Sequence, residues 1–189
     1  TINSIGESSL TQCSGLSSIE IPPSVVSIKN SAFYRCHGLT EVIIPNSVTT
    51  IGSAVFQEIE NLTQVSLGSK LSSIGLQCFL KCPNLRTLYS NNPVPPDLVG
   101  NPFSLSYINI VYVPSTGVSA YKSAQYWKDL NIGTDELITI HNSTAGGLMN
   151  TIQSLGKDVS AITKLTITGF LNSTDISALR TQMPVLTEL

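Results

Sequence analysis

Cys13, Cys36, Cys78 and Cys82, with His37 and His141, are the residues of this 189-residue chain whose types could hold a metal or act as nucleophile and base. A structural zinc site takes four ligands, usually as two closely spaced pairs. Cys36 and His37 are adjacent rather than so spaced, no second pair completes the set, and His141 has neither a cysteine nor clustered carboxylates beside it. No metal site is expected. Serines are plentiful, but a nucleophilic serine needs a base and an orienting group. No Gly-x-Ser-x-Gly, phosphate loop, dinucleotide fingerprint or His-Glu-x-x-His pattern occurs. The residues therefore predict a protein that is not an enzyme, with no catalytic residues and no cofactor.

An even number of cysteines is compatible with disulfides, but their positions argue for free thiols. Cys13, Cys36 and Cys82 stand 23 and 46 residues apart, and Ile59 fills the skipped place. A place that accepts Ile is an apolar slot, and a free cysteine packs as a small hydrophobe. Cys78 shares a second small apolar slot with Ala32 and Val55. Cys13 with Cys36 is the one pair whose stacking would permit a bridge, because neighbouring strands lie about 4.8 Å apart.

That 23-residue step must position everything else. Ile5, Ile28, Ile51 and Ile74 form one column, and Leu10, Phe33, Phe56 and Phe79 the next. Leu16, Leu39, Leu62, Leu85 and Ile108 follow, then Ile19, Val42, Val65, Leu88 and Val111. Ile21, Ile44 and Leu67 continue to Ser90 and return as Val113; Ile2, Val25, Val48, Leu71 and Val94 complete the set. Periods of 20 to 50 residues mark stacked units that cannot bury an apolar side alone. Each unit holds two short β-rich runs, such as Thr40-Glu41-Val42-Ile43-Ile44 before Pro45 and Val48-Thr49-Thr50-Ile51 before Gly52, which read as strands bounded by turns. Residues 53–59 are too short for a long helix and are expected to form a turn or two of helix or 3-10 helix. Lys29 stands where neighbouring units have Gly6, Gly52 and Gly75, so a turn needing positive φ would strain it.

The pattern Val-x-x-Ile-Gly-x-x-Ala-Phe-x-x-Cys-x-x-Leu-x-x-Val-x-Ile-Pro, carried by Val25, Ile28, Ala32, Phe33, Cys36, Leu39, Val42, Ile44, Pro45 and their equivalents, resembles the BspA-like, or Treponema pallidum type, leucine-rich repeats. The expected fold is a β-rich solenoid of 23-residue repeats with parallel strands over residues 1–114, in about five units with the first partial. Residues 115–133 are expected to close it. There Val118, Tyr121, Ala124 and Trp127 recur every third residue along one helical face, with Trp127 a cap residue over the end rung. From residue 134 the register is lost. Ser143-Thr144 offers a helix cap before Leu148, Met149, Ile152 and Leu155, with Gly156 as the stop. Lys164-Leu165-Thr166-Ile167-Thr168-Gly169 alternates as a strand, and Ser173-Thr174-Asp175 caps a helix carrying Ile176, Leu179 and Met183. Leu186 and Leu189 belong to a further strand. Residues 134–189 thus resemble the start of a second, truncated leucine-rich segment, and the chain reads as a piece of something longer.

Binding, then, is expected on the outward strand positions between the core columns. These are Glu20, Ile43, Ser66, Tyr89 and Tyr112, with Glu41, Gln64 and Thr87 diagonally beside them. A ladder of Tyr, Glu and Gln on a rigid sheet presents contact area with little entropy to lose. A net charge of −2 spread over mixed signs argues against a nucleic-acid partner. No run approaches the roughly 18 apolar residues of a membrane-spanning helix. The resemblance implies a non-catalytic protein-binding or cell-adhesion module of an exported or cell-surface bacterial protein. Its partner would be a host matrix protein or another surface protein. The alternative is a structural spacer with no ligand of its own.

Overall fold

The computed structural model describes residues 2–142, 145–154, 162–169, 171–183 and 185–186. The short β-rich runs form two all-parallel sheets. One orders β1 (Ser4–Ile5), β2 (Ser27–Ile28), β4 (Thr50–Ile51), β6 (Ser73–Ile74) and β8 (Asp97–Leu98). The other orders β3 (Glu41–Ile43), β5 (Gln64–Leu67), β7 (Thr87–Ser90), β9 (Ile110–Tyr112), β10 (Ile132–Asn142) and β11 (Ile162–Gly169). Pairing follows the sequence columns: Ile28 lies on Ile5, Ile51 on Ile28 and Ile74 on Ile51, while Val42, Val65, Leu88 and Val111 form one row of the wider sheet.

A third wall joins the two sheets, and here the structure corrects the expectation of helix or 3-10 helix. Residues 53–58 are a chain of hydrogen-bonded turns. Two left-handed residues per rung prevent a helix from continuing. Ser8, Ser31, Ala54 and Gln77 have φ between 53° and 59°, and Gln12, Arg35, Glu58 and Lys81 between 57° and 61°. The alternation turns every second amide towards the adjacent rung. Ser31, Phe33 and Arg35 donate to the carbonyls of Ser53, Val55 and Gln57, and Ala54, Phe56 and Glu58 to those of Leu76, Cys78 and Leu80. The intervening amides close turns three residues back, as Tyr34 does on Ser31 and Cys36 on Phe33. The turn wall is therefore a third hydrogen-bonded ladder.

Lys29 is not among the left-handed residues, nor are Gly6, Gly52 and Gly75, so the strain anticipated at Lys29 does not arise. Glycine serves close approach instead. A Cβ on Gly75 would fall on the backbone of Gly52 and Ser53 in the rung below, and one on Gly52 on that of Lys29 and Asn30.

Inside the three walls the apolar columns stack. Phe33, Phe56 and Phe79 are fully buried with rings parallel at 5.3 and 5.6 Å. The stack continues to Phe103 at 5.7 Å and ends on Trp127, which meets Phe103 edge-on at 5.4 Å. Trp127 donates from Nε1 to the Pro96 carbonyl at 2.9 Å. The closing segment is not one continuous helix. α1 (Val118–Ser123) stops at Ala124, whose backbone is extended, and Tyr126 is left-handed at φ 65°. Trp127 then opens a separate 3-10 turn, Trp127–Asp129. The break lets Val118, Tyr121 and Trp127 all reach the core.

Beyond the cap, β10 was not foreseen from the sequence. Ile132 and Gly133 lie beside Val111 and Tyr112, so the wide sheet runs on; an irregularity follows between Thr134 and Leu137, after which β10 pairs with β11 as far as Asn142 and Gly169. α2 (Leu148–Ser154) and α3 (Ser173–Gln182) pack Leu148, Ile152, Leu179 and Met183 against Ile162 and Leu165. The cap of α3 falls on Asn172 rather than Ser173, with Asp175 as its reciprocal partner, and Ile176 turns outward, 46% exposed. Ser143, Thr144, Leu155, Gly156 and Leu189, to which a cap, a core place, a stop and a strand were assigned, lie outside the described residues.

Asp175 ties the two helices together. Its carboxylate accepts the amides of Gly146 at 2.7 Å, Leu148 at 3.0 Å and Asn172 at 3.1 Å. Burial works against ionisation here, but those three amides outweigh it and hold the carboxyl below its ordinary value. A depressed folded pKa contributes stability above the unfolded value of about 3.9; that contribution is lost as pH falls through the lower folded value. Asp175→Asn is therefore expected to destabilise the α2/α3 region near neutral pH and to flatten its acid dependence below about pH 4. Hydrogen exchange of α2 and α3 against pH checks this; an identical acid profile in variant and parent would contradict it. In the stacked core, Phe56→Ala opens a void between two rungs and is expected to cost about 3–5 kcal/mol. A urea titration losing less than about 1 kcal/mol would contradict the stacking.

Candidate functional site

The wide sheet places most of the outward residues in two rows. Ile43, Ser66, Tyr89 and Tyr112 are register partners across β3, β5, β7 and β9, and so are Glu41, Gln64, Thr87 and Ile110. Glu20 is exposed one repeat earlier but lies outside any strand, so the structure puts it at the margin of this face rather than in the row. Ile43 is 60% exposed on edge strand β3. Gln64 donates from Nε2 to the Glu41 carboxylate at 2.8 Å, fixing both side chains along the row.

At the other end of the face, Tyr89 and Tyr112 stack with centroids 5.0 Å apart and planes 20° apart. Parallel pairing at rung spacing dictates this: two half-buried tyrosines on neighbouring strands have their rings side by side. Their flank opens into a cleft of about 440 Å³ lined by Tyr89, Ser90, Asn91, Tyr112, Val113, Pro114 and Ser115. Asn91, Pro114 and Ser115 were not foreseen as site residues, because they follow strand ends; Pro114 falls on the period, but as the proline that bounds a strand, like Pro45. The lining is aromatic and amide-bearing and includes no ionisable acid or base other than the tyrosines. It offers apolar rings and neutral hydrogen-bonding groups.

Behind the cleft the cap supports the sheet. Ser90 takes a place that is apolar in lower rungs, and it is buried because its Oγ meets the Tyr121 hydroxyl at 2.6 Å. That hydroxyl also donates to the Asn92 carbonyl at 3.0 Å. Burial pushes the Tyr121 phenol up to about 12, with the Ser90 bond opposing, so it stays protonated and able to donate.

The turn wall carries a second polar cluster, away from the residues that the strand periodicity singles out. Arg35 binds Glu58 through Nε and its guanidinium, both at 2.7 Å, and Lys81 reaches Glu58 at 3.3 Å. The Arg35 bond, with Lys81 and Gln57 assisting against burial, holds the Glu58 carboxyl below its ordinary value. The signal was available: Arg35, Glu58 and Lys81 alternate in sign at 23-residue spacing. Each of these charges is already paired within the ladder.

All four cysteines are free thiols. Cys36, Cys78 and Cys82 are buried as their columns imply, whereas Cys13 is exposed. Cys36 donates to the Leu10 carbonyl rather than facing His37. No group of three or more His, Cys, Asp or Glu among the described residues is placed to hold a metal ion. No helix among them is long and apolar enough to cross a membrane.

A solenoid of parallel 23-residue rungs with a continuous apolar interior and a flat strand face is a leucine-rich repeat scaffold, typically a non-catalytic platform for binding proteins. The family model for the BspA type leucine rich repeat region matches residues 1–96 in six copies, and the chain belongs to that family. No curated protein matches it.

Tyr121→Phe tests the support behind the face. Removing the hydroxyl leaves buried Ser90 without its partner and should cost about 1–3 kcal/mol in chemical denaturation. A loss below about 0.5 kcal/mol would show that the cap does not brace the sheet through this bond.

Proposed function

We propose that this chain is a non-catalytic protein-binding module of an exported, cell-surface bacterial protein. It engages its partner through the strand face bearing Glu41, Ile43, Gln64, Tyr89 and Tyr112, with Glu20 at the margin. The observation that carries this reading is the stacked Tyr89 and Tyr112 pair beside the neutral cleft. Large aromatic side chains held by neighbouring strands lose little freedom when covered, and such residues dominate binding energy at protein interfaces. Adhesion to host matrix or to another surface protein is the partner class we propose. Family membership supports it, since relatives of this type are typically surface-associated in bacteria. In this reading residues 1–114 form the binding solenoid, 115–133 close it and 134–189 open a second repeat segment.

The test is binding of the whole chain to immobilised host matrix proteins, compared with a Tyr89→Ala/Tyr112→Ala variant. Both tyrosines are half-buried on an outer face rather than in the core, so the variant should fold and melt close to the parent. If this face carries the contact, affinity should fall at least about tenfold, corresponding to roughly 1.4 kcal/mol. Equal retention by both forms would rule out this face. Retention of neither form by any matrix protein would favour the spacer reading.

A further inference from the structure

Outside the strand face lie the Arg35–Glu58–Lys81 ladder, an open groove along the Gly52 and Gly75 column, and the cysteines. The ladder's charges satisfy one another, and nothing in the structure indicates what would fill the groove. The cysteines carry an inference. Cys36 is buried, and its Sγ donates to the Leu10 carbonyl of the preceding rung at 3.0 Å. That same carbonyl accepts the Cys13 amide at 3.3 Å, and the Cys13 amide also faces the Cys36 sulfur. The Cys36 sulfur thus sits against the backbone of Cys13. The two rungs are held together just before this point in the chain, by Gln12 donating to Tyr34 at 2.7 Å, Leu10 to Ala32 at 2.9 Å and Ser8 to Asn30 at 3.0 Å. Hydrogen-bonded neighbouring strands lie about 4.8 Å apart, inside the roughly 4.4–6.8 Å Cα separation that a disulfide spans without backbone movement.

We propose that Cys13 and Cys36 are a redox-conditional staple, a disulfide that locks the rung carrying Cys13 onto the next when a small-molecule disulfide is supplied. Cys82 has the same local geometry, its Sγ donating to the Phe56 carbonyl at 3.1 Å, but the residue beneath it is Ile59 and no bridge can form. Cys78 is also fully buried. Cys13 is the one exposed residue of the four cysteines, so exchange begins there. The Cys13 thiolate attacks one sulfur of a disulfide such as oxidised glutathione, releasing one glutathione thiolate and leaving a mixed disulfide. Cys36 then gives its proton to water, attacks the Cys13 sulfur and expels the second glutathione thiolate. Two protein thiols are oxidised and one external disulfide is reduced to two thiols. Burial raises the Cys36 thiol, with the Cys13 amide opposing, so the second step is the slower. The bridge closes the chain between residues 13 and 36 and restricts the unfolded state of a rung whose strand β1 is only two residues long.

The experiment is incubation of the native 189-residue chain with graded ratios of oxidised to reduced glutathione. It is followed by denaturing alkylation, peptide mapping and a melting curve. The expected result is a fall from four labelled thiols to two, a mapped Cys13 to Cys36 link, and a Tm raised by about 5 °C. Cys13→Ser, an exposed and structurally mild change, should keep its three thiols and show no Tm shift under the same treatment. A glutathione adduct persisting on Cys13 with Cys36 still labelled would overturn the proposal. So would a Cys13-linked dimer of two chains, four unreacted thiols, or a mapped link that leaves Tm unchanged.

Discussion

The constancy of the rung step is the constraint on which this structure depends. Phe33, Phe56 and Phe79 lie in one stack because residues 23 apart occupy the same place in successive rungs. Were one rung to carry an uncompensated extra residue, every column above it would rotate out of place, since a one-residue slip reverses which side chains face the core. The chain does absorb such an insertion once. Leu98 lies 24 residues beyond Ile74 yet pairs with it, and Phe103 lies 24 beyond Phe79 yet stacks on it. The wider sheet meanwhile keeps its 23-residue step from Val65 to Leu88 to Val111. The extra residue is taken up before Leu98, where Pro93, Pro95 and Pro96 withdraw backbone donors and replace regular pairing.

The turn wall shows how the step is enforced locally. Left-handed backbone disfavours most side chains, yet Ser31, Arg35, Ala54, Glu58, Gln77 and Lys81 all adopt it. What offsets that cost is the inter-rung bonding it permits, because reversing the sign of φ at alternate points turns alternate amides along the solenoid axis. The local penalty is therefore tied to the long-range ladder, and neither is stable alone. The same coupling explains Gly52 and Gly75, which serve the close approach of one rung's backbone to the next.

How much of this was legible follows from that constraint. The columns of Ile, Phe, Leu and Val were readable because each repeats at a fixed interval, and the two sheets and their register follow from them. Left-handed residues were not, since Ser8, Ser31, Ala54 and Gln77 share a backbone conformation without sharing a side-chain type. Phe103 escaped because it stands one residue off the period, so Trp127 was legible as a cap residue but its link to the phenylalanine stack through Phe103 was not. β10 lies where the period ends, and its polar opening, Gly133, Thr134, Asp135 and Glu136, conceals a strand continuing the sheet. On the candidate face, Tyr89, Tyr112 and Gln64 were legible from the same periodicity, whereas Asn91 and Ser115 were not. Glu20 was assigned by period alone, and the strand it needed does not form.

Ser90 joins these observations. In a column that is otherwise Ile21, Ile44, Leu67 and Val113, a serine is an apparent error in the pattern. Its buried hydroxyl is satisfied only because Tyr121 of the cap reaches it, and Tyr121 in turn packs edge-on against Trp127, which ends the phenylalanine stack. Ser90 immediately follows Tyr89 and lines the same cleft. A lone buried hydroxyl would be destabilising, so sheet and cap specify each other at this rung. The one polar residue that breaks the apolar column is thus the point where the closing segment is keyed to the strand bearing Tyr89. The cap therefore braces the candidate face as well as covering the last rung.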